Sequence, residues 1–446
     1  MQNDLQFNPA FAGLQPSSTI FINETVNQRW RRGETVYHMG FGESRFDVHP
    51  KLNAALSENA TKKSYLPARG LPELTEAVAN YYSHKLRKHS AGHDERKCEF
   101  KSDQVIIGPG SKSIIYGLQM VLNADVFLPT PSWVSYGPQA TILGRNFKYI
   151  ESKVENDYAL EIAELDKQIR QSNNPCKLLI LNSPNNPTGQ VLTEDFLQEL
   201  ADYCRAHDIW VLSDEIYFQV CHEGQTHFSI AQFYPERTFV LGGLSKHLSI
   251  GGWRLGVGLL PDSDQGREIM KHLTVLASET WSGVASPIQY AAIKAYELDP
   301  DIEQYVADCS AIHGARTRFF NQCLTEMGVR CTRAQGGFYI MPNFDSFTSG
   351  LKKLGVTTSS ELAKYLLREH AIATLPGKDF GTPEKTQSLR LSTSYLDLET
   401  EFDAGRLLGL YHSAVDVKTL MSEQNHPNMH RAIDEFRNFV SSISLG

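Results

Sequence analysis

The sequence predicts an α/β fold, with a large domain built on a mostly parallel sheet between helices and a smaller α+β domain beside it. Between about residues 100 and 261, short β-rich runs end in Gly, Ser, Asn or Asp, and helical periodicity usually follows them. Several of these runs are apolar throughout, which is typical of strands covered on both faces. Such alternation of strands and helices indicates a parallel sheet. The length of 446 residues exceeds the usual size of one domain and indicates a second.

Six runs are predicted to be strands of this sheet. They cover residues 104–108, 126–129, 177–182, 209–217, 238–242 and 255–260. Between the first two, residues 111–122 place a stripe of aliphatic side chains on one helical face and predict a helix. Residues 193–207 open with Thr-Glu-Asp and predict another helix.

Both ends of the chain are predicted to contribute to the smaller domain. The first part contains turns and a glycine-rich piece, and the part from about residue 305 mixes a long helix with short strands at 337–341 and 389–392. We therefore assign residues 1–50 to a segment that joins the small domain, 51–304 to the large domain and 305–446 to the small domain.

One stretch of the small domain departs from the expected pattern. Residues 405–430 interrupt the run from the last strand into a final helix at 431–442. We predict that this stretch is an inserted excursion.

Composition excludes several classes of function. The formal net charge of −8 argues against a nucleic-acid partner, because phosphate binding requires a basic face. The first residues show no secretory signal, and no apolar stretch approaches the length needed to cross a bilayer. The seven cysteines are scattered without a Cys-x-x-Cys pair, so we expect neither a disulfide framework nor a metal site. A reducing, cytoplasmic location is the expectation that follows.

Chemically active residues follow four of the predicted strands. Ligands of parallel sheets lie beyond the carboxyl ends of the strands, so these residues are expected to share one site. They are Gly110, Ser111 and Lys112 after the first run, Asn186 after the third, Asp214 and Tyr217 at the end of the fourth, and Lys246 after the fifth, with Arg254 eight residues beyond it.

Several motifs in this order carry a family resemblance. They are Leu-Ser-Lys-x(5)-Gly-Trp-Arg-Leu-Gly at 244–256, Asn-Asn-Pro-Thr-Gly at 185–189, Ser-Asp-Glu-Ile-Tyr at 213–217 and Pro-Ser-Trp-Val-Ser-Tyr at 131–136, with weaker matches at 40–43, 65–74, 336–339, 376–381 and 389–392. The set resembles the class I/II aminotransferases of fold type I, the aspartate aminotransferase superfamily, over roughly residues 38–395. The resemblance implies a seven-stranded sheet in the large domain and pyridoxal 5′-phosphate as cofactor.

The resemblance also implies roles for individual residues. Lys246 would form the Schiff base and then act as acid and base in the proton shift. Asp214 would pair with the pyridine nitrogen, which keeps the ring an electron sink. Asn186 and Tyr217 would contact the phenolic oxygen, and Trp133 would stack on the ring.

The remaining implied roles concern the phosphate and the substrate. Backbone N–H groups at a helix start and nearby cations suit a dianionic phosphate. The phosphate would be held by Gly110, Ser111, Lys112 and Arg254, with Ser111 or Ser245 compensating for a hydroxyl residue that relatives carry at the position of Gly243. Arg390 would clamp the substrate α-carboxylate, beside Asn186 and the backbone of Gly42. Tyr65 would reach the phosphate of a neighbouring subunit, which implies a homodimer with shared active sites.

The implied reaction moves the amino group of an L-amino acid to a 2-oxo acid by a ping-pong mechanism. The alternative is a lyase or an enzyme like 1-aminocyclopropane-1-carboxylate synthase on the same scaffold, although Gly252-Trp253-Arg254 is closer to the transaminase pattern. A regulator with a preceding DNA-binding module is not expected, because no basic stretch accompanies it.

Two departures from the family bear on specificity. The stretch 38–47 lacks the Glu-Pro that relatives often carry before the Phe. Ser278, followed by Glu279, falls where the resemblance to dicarboxylate-specific relatives implies an arginine that reaches the site of the neighbouring subunit. With Phe41, Trp281 and Tyr339 expected to line the pocket, we predict that a neutral hydrophobic or aromatic amino acid is used at least as well as aspartate.

Overall fold

The computed structural model describes residues 7–87 and 99–444. Its helices are α1 (Ser18–Arg31), α2 (Pro50–Asn59), α3 (Pro72–Arg87), α4 (Ser111–Val121), α5 (Tyr136–Ile142), α6 (Ile162–Arg170), α7 (Glu194–Ala206), α8 (Asp264–Thr280), α9 (Ser286–Ile293), α10 (Pro300–Glu326), α11 (Thr348–Lys353), α12 (Ser359–Glu369), α13 (Glu401–His412), α14 (Val417–Leu420) and α15 (Pro427–Ser444).

Short strands accompany these helices. They are β1 (Tyr37–His38), β2 (Val105–Gly108), β3 (Asp125–Pro129), β4 (Phe147–Ile150), β5 (Lys177–Asn182), β6 (Trp210–Asp214), β7 (Thr238–Gly243), β8 (Gly256–Leu259), β9 (Arg330–Cys331), β10 (Tyr339–Ile340), β11 (Pro342–Asn343), β12 (Ile372–Ala373), β13 (Leu375–Pro376) and β14 (Leu389–Ser392).

The main sheet has seven strands in the order β2-β8-β7-β6-β5-β3-β4. Strand β8 runs antiparallel to both of its neighbours, and the other pairs are parallel. The predicted α/β class and the mostly parallel sheet are therefore confirmed.

The strand β4 was not among the six predicted runs. It pairs only with β3, so it is an edge strand, and three of its four residues keep contact with solvent. A half-exposed edge strand lacks the continuous apolar run that identified the others. The run at 209–217 is also shorter than predicted, because the chain turns after Asp214 and the N–H of Phe218 bonds back to the carbonyl of Glu215.

Apolar side chains pack on both faces of the sheet. In β2, Val105 and Ile107 belong to one cluster, while Ile106 between them belongs to the cluster on the opposite face. This alternation is what a covered strand requires, since successive side chains point to opposite faces. The sheet is thus held between layers of helices, with the strand ends open to form a site.

A third cluster joins the two ends of the chain. Met39 packs there with Ile340, Leu391 and Phe436, and β1 pairs with β12. The helix α10 contributes its first turns to a cluster of the main sheet and its last turns to this one. The division of the chain at residues 50 and 304 remains a prediction.

The stretch at 405–430 is largely helical. It contains most of α13 and all of α14, and its Leu420 and Met421 are buried in the cluster that joins the chain ends. The final helix begins at Pro427, four residues before its predicted start. Asp397 is the reason, because its carboxylate accepts the N–H groups of Asn428 and Met429, which lie 31 and 32 residues away in sequence, and so caps the helix.

No helix in the two described segments is long and apolar enough to cross a membrane.

Candidate active site

One cavity lies at the carboxyl ends of β5, β6 and β7, where Asn182 and Asp214 face each other in neighbouring strands. Its volume is about 450 Å³. The cavity brings together every residue that the sequence placed in the site except Tyr65 and Trp281. They are Gly42, Gly110, Ser111, Lys112, Trp133, Asn186, Asp214, Tyr217, Ser245, Lys246, Arg254 and Arg390.

Lys246 follows β7 and reaches across the cavity floor. Its Nζ donates a hydrogen bond of 2.7 Å to the carbonyl oxygen of Gly42 and lies 5.5 Å from the centre of the Tyr217 ring. Burial lowers the pKa of Lys246 to about 8, with Glu43 opposing the shift and Arg390 adding to it. A substantial fraction of the amine is therefore neutral, and nucleophilic, near neutral pH.

Asp214 is buried at the end of β6. Its Oδ2 accepts a hydrogen bond of 2.7 Å from the hydroxyl of Tyr136, and its Oδ1 accepts one of 3.3 Å from the N–H of Ile216. Burial raises the pKa of Asp214 to about 6, although the Tyr136 hydrogen bond opposes the shift. No lysine or arginine of the described residues forms an ion pair with this carboxylate. A cationic ligand group would therefore find a fixed, desolvated partner here.

A backbone hydrogen bond positions Asn186, and its side chain lines the cavity. Its N–H donates 2.7 Å to Oδ1 of Asn182, whose Nδ2 in turn donates 2.7 Å to the carbonyl of Asp214. The side-chain Oδ1 of Asn186 is buried and has no hydrogen-bond partner within the described residues. Buried polar atoms are normally paired, so this atom is suited to a ligand or a water molecule.

A cradle for an anion lies at the start of α4. Gly110 has a φ of 85° and supplies no side chain to cap the first turn. A Cβ on Gly110 would lie 2.5 Å from Nη2 of Arg254, and one on Gly256 would lie 2.1 Å from the backbone nitrogen of Ser111. Only glycines allow this close approach of a guanidinium and a strand to the helix start.

Lys112 adds a second cation beside the cradle. Its Nζ lies 4.9 Å from the centre of the Trp133 ring, and burial together with Arg254 lowers its pKa. Trp133 itself lines the cavity and packs edge-on against Tyr136. The indole is therefore fixed between the anion cradle and the Asp214 carboxylate.

A steric restriction explains why position 243 is a glycine. Gly243 lies opposite Gly256 in the β7–β8 pair. A Cβ there would lie 2.8 Å from the carbonyl oxygen of Leu255, so a serine or threonine does not fit. The hydroxyls that do line the cavity nearby are those of Ser111 and Ser245.

Arg390 lies on β14 at the other end of the cavity. It is buried, its Nη2 donates to the carbonyl of Gly40, and its Cζ lies 4.9 Å from the centre of the Tyr339 ring. Its Nε has no partner among the described residues. A buried guanidinium with a free N–H is suited to bind a carboxylate.

Tyr65 lies outside the cavity and is 97% exposed. It borders a surface depression formed by residues 62–66 and 281–287. In the single chain Trp281 lines this depression rather than the cavity, and its place in a substrate pocket stays a prediction. Ser278 and Glu279 are exposed on α8, whereas Phe41 and Tyr339 line the cavity as expected.

Sequence reasoning missed two residues that shape the site. Tyr136 supports Asp214, although it ends the Pro-Ser-Trp-Val-Ser-Tyr motif in which only Trp133 was singled out. Asn182 orders Asn186 and is the last residue of a predicted strand, so its position at the carboxyl end of that strand was a usable signal. Tyr339 was expected in the pocket wall, but its contact with Tyr217 was not, and the two hydroxyl oxygens lie 2.7 Å apart.

The arrangement has the donor set that pyridoxal 5′-phosphate requires. It offers a buried carboxylate for the ring nitrogen, an orphaned amide oxygen and a tyrosine for the polar ring edge, and a glycine-lined helix start with two cations for the phosphate. The amine of Lys246 faces the same space. No group of three or more metal-ligating side chains occurs in residues 7–87 and 99–444.

Comparisons with known proteins agree with this chemistry. The family described as aminotransferase class I and II matches residues 34–400. An aspartate aminotransferase of Bacillus subtilis is 32% identical over 398 residues, which cover 87% of this chain and 95% of that protein. An aromatic-amino-acid aminotransferase 2 of Thermococcus litoralis is 31% identical over 378 residues, covering 83% of this chain and 90% of that protein.

Solved structures give the same result. The aspartate aminotransferase from Thermus thermophilus with maleate has a TM-score of 0.76 at 25% sequence identity, covering 92% of this chain and all of that one. The alternative of a lyase or a cyclising synthase is not favoured by these relatives. The chain therefore belongs to the class I and II aminotransferase family, and it is a pyridoxal-phosphate-dependent transaminase.

Proposed function

We propose that the cavity is the transamination site and that Lys246 both holds the cofactor covalently and moves the proton. The observation that carries this proposal is the position of its amine, which has a lowered pKa and shares one cavity with the Asp214 carboxylate and the anion cradle. The bound cofactor supplies an electron sink that stabilises negative charge at the substrate α-carbon. The amine, released when substrate takes its place, is then positioned to carry the proton.

Different side chains of the cavity are proposed to contact different parts of the cofactor ring. Asp214 would pair with the ring nitrogen, supported by the hydrogen bonds from Tyr136 and Ile216. The side-chain amide of Asn186 and the hydroxyl of Tyr217 would donate to the phenolic oxygen, and Trp133 would cover one face of the ring. The lining of one cavity by all four side chains and the absence of an ion pair at Asp214 within the described residues support these roles.

The phosphate is proposed to lie at the start of α4. Its ligands there would be the N–H groups of Gly110 and Ser111, the hydroxyls of Ser111 and Ser245, and the cations of Lys112 and Arg254. The close approach of Arg254 to Gly110 supports this assignment, since a dianion compensates the repulsion between the two cations.

Arg390 is proposed to bind the α-carboxylate of the amino acid, beside Asn186 and the backbone of Gly42. Two parallel N–H···O bonds from a guanidinium fix the orientation of a carboxylate. This places the α-carbon between the clamp and the Lys246 amine. Both half-reactions use the same clamp, because the amino acid and the 2-oxo acid each carry this carboxylate.

The donor is proposed to be a neutral hydrophobic or aromatic amino acid, used at least as well as aspartate. Phe41 and Tyr339 line the cavity, and Arg45 is engaged elsewhere by Glu43, 3.2 Å away, and by the carbonyl of Glu399. The relatives include both aspartate and aromatic-amino-acid aminotransferases, so the family allows either preference.

The experiment compares kcat/KM for aspartate with those for phenylalanine, methionine and alanine, using one 2-oxo acid acceptor throughout. Equal or better use of a neutral donor is expected. A preference for aspartate of about a hundredfold or more would overturn the assignment of the donor, while leaving transamination itself in place.

We also propose a homodimer with shared active sites, in which Tyr65 reaches the phosphate of the neighbouring subunit. A tyrosine that is 97% exposed in the single chain, beside a surface depression, supports an interface at this point. A cytoplasmic location is proposed on the cysteines. The six described ones are free, and Cys98 lies outside the described residues.

A further inference from the structure

A hydrogen-bonded chain of three side chains, two of them buried, lies beside Lys246 and Gly42. The Oγ of Ser44 lies 2.6 Å from Oγ of Ser249 and 2.9 Å from Nε2 of His313. Ser44 is 2% exposed and His313 is 1% exposed. Ser44 belongs to the stretch in which the sequence departs from the family's common Glu-Pro. The hydrogen-bonded chain therefore includes a residue at which this protein differs from that family pattern.

The three residues come from the two segments that meet at Lys246. Ser44 is two residues after Gly42, whose carbonyl accepts the Lys246 hydrogen bond of 2.7 Å. Ser249 is three residues after Lys246. The Ser44–Ser249 bond therefore ties together the segments that carry the donor and the acceptor of the Lys246 contact. His313, on α10, anchors the pair to the core.

Ser249 adopts a backbone conformation that a serine rarely adopts. Its φ is 59°, in the left-handed region that disfavours residues with a Cβ. Such a conformation persists only where surrounding contacts determine it. The hydrogen bond to Ser44 is the side-chain contact that holds Ser249 in place.

The histidine of this hydrogen-bonded chain is neutral. Burial, with Arg316 and His222, holds the pKa of His313 well below its ordinary value. Its Nδ1 is buried without a partner among the described residues, whereas its Nε2 contacts Ser44. In the tautomer that carries its proton on Nε2, His313 donates to Ser44, and the Ser44 hydroxyl can then donate to Ser249.

Aromatic packing links the same histidine to the lysine by a second route. The ring centres of His313 and Phe338 lie 5.0 Å apart, and the Lys246 Nζ lies 5.9 Å from the centre of the Phe338 ring. His313 also packs against Phe46, in the segment of Ser44, with ring centres 5.0 Å apart. The histidine is thus fixed on two sides and provides a rigid base for the hydroxyl chain.

We propose that Ser44, Ser249 and His313 are positioning residues that hold the Lys246 amine in place for covalent capture of the cofactor. The inference rests on the proposed role of Lys246. It assigns no contact between these three residues and the substrate or the cofactor. Their effect is carried by the Gly42 carbonyl on one side and by the segment 246–249 on the other.

The test uses the full-length protein after removal of the cofactor. Pyridoxal 5′-phosphate is added back, and the rate of covalent capture is followed by absorbance. The equilibrium affinity for 4-deoxypyridoxine 5′-phosphate, which lacks the aldehyde, is measured in parallel. Capture by Ser44→Ala is expected to slow by about tenfold, while affinity for the aldehyde-free analogue stays within about twofold, because the phosphate cradle and Asp214 are untouched.

A second variant separates positioning from simple loss of stability. Ser249→Gly removes the hydroxyl and also the Cβ that disfavours a φ of 59°, so its melting temperature is expected to equal or exceed that of the parent. Slower capture by this variant would show that the hydroxyl chain acts on the lysine. The matched control is Ser388→Ala, which removes a buried hydroxyl paired with Thr382 at 3.4 Å, outside the cavity lining.

Capture at the parental rate by both Ser44→Ala and Ser249→Gly would overturn the inference, and so would equal slowing in Ser388→Ala. Failure of the proposed function has a different signature. If borohydride fixes the cofactor in the parent protein to a residue other than Lys246, the proposed site is wrong, whatever the serine variants do.

Discussion

The hydroxyl oxygens of Tyr217 and Tyr339 lie 2.7 Å apart, and both side chains are buried in the cavity wall. One hydroxyl must donate to the other. If Tyr339 donates, the Tyr217 hydroxyl keeps its own proton for the cavity, where it is proposed to face the phenolic oxygen. Tyr339 also lies beneath Arg390, whose charge opposes the burial that raises the pKa of Tyr339. Tyr339 thus connects the proposed carboxylate clamp to the side of the cavity that is proposed to hold the cofactor.

Tyr339→Phe removes the hydroxyl and retains the ring. We expect kcat to fall by about tenfold, or about 1.4 kcal/mol, with little change in KM, because the ring beneath Arg390 is preserved. Steady-state kinetics on Tyr339→Phe and Tyr217→Phe measure this. A normal kcat in Tyr339→Phe beside a reduced kcat in Tyr217→Phe would show that Tyr217 needs no partner.

Lys246→Ala is expected to abolish turnover and covalent attachment of the cofactor, because both depend on this amine. Reduction with borohydride followed by peptide mass analysis measures the attachment. Lys112→Ala is the control, since it removes a cation of the same cavity and should keep the attachment. Cofactor still fixed to the Lys246→Ala protein would contradict the assignment.

The raised pKa of Asp214 predicts how the stability of the cofactor-free protein depends on pH. A carboxyl with a folded-state pKa of about 6 holds its proton to a higher pH than it does in the unfolded chain. Folding stability should therefore fall as pH rises from about 4 to 6, by up to about 3 kcal/mol. Urea unfolding of the parent and of Asp214→Asn between these pH values isolates the contribution, which the variant should lack. Parallel pH profiles for the two proteins would refute it.

Asp214→Asn should also impair catalysis while leaving cofactor bound, because a neutral amide does not keep the ring nitrogen protonated. The loss in kcat is expected to exceed about tenfold. A smaller loss would exclude the proposed pairing.

Arg390→Lys is expected to raise KM sharply and to lower kcat for each amino acid, because a lysine does not form two parallel bonds to a carboxylate. The half-reaction with phenylalanine alone, followed by cofactor absorbance, measures the effect without an acceptor. Arg45→Lys is the matched control, since Arg45 is absent from the cavity lining and its side chain bonds to Glu43 and to the carbonyls of Leu398 and Glu399. If amines without a carboxylate react as fast as amino acids, Arg390 does not bind a substrate carboxylate as proposed.

Shared active sites are tested by mixing two inactive variants. Lys246→Ala lacks the amine, and Tyr65→Ala lacks the residue proposed to enter the neighbouring site. After subunit exchange, a hybrid dimer has one complete site, so an equal mixture should recover about one quarter of the parental activity. Gel filtration gives the oligomeric state in parallel. Recovery no greater than the sum of the two variants would argue that each subunit works alone.

Local sequence patterns were sufficient to predict the buried strands and the residues that follow them. The buried strands of the main sheet were identified by their apolar runs, and most catalytic candidates by their position after those runs. The strand β4 was missed because an edge strand is half exposed. The early start of α15 was missed because its cap, Asp397, lies far away in sequence.

The same limit applies to the site. Tyr136 and Asp214 are separated by 78 residues, and Tyr217 and Tyr339 by 122 residues. Residues this far apart in sequence do not form a motif from which their contact could be predicted. Most residues that line the cavity follow the carboxyl ends of strands, where ligands of parallel sheets bind, so their position could be predicted. The residues that support them are brought close only by the packing of separate elements.

The opposed glycines at 243 and 256 restrict how this site can evolve. A Cβ at position 243 meets the carbonyl oxygen of Leu255 and the Cα of Gly256, which are backbone atoms that no change of side-chain rotamer moves aside. A serine or threonine at position 243 therefore requires a shift of the neighbouring strand, and the hydroxyls on this side of the cavity come from Ser111 and Ser245 instead.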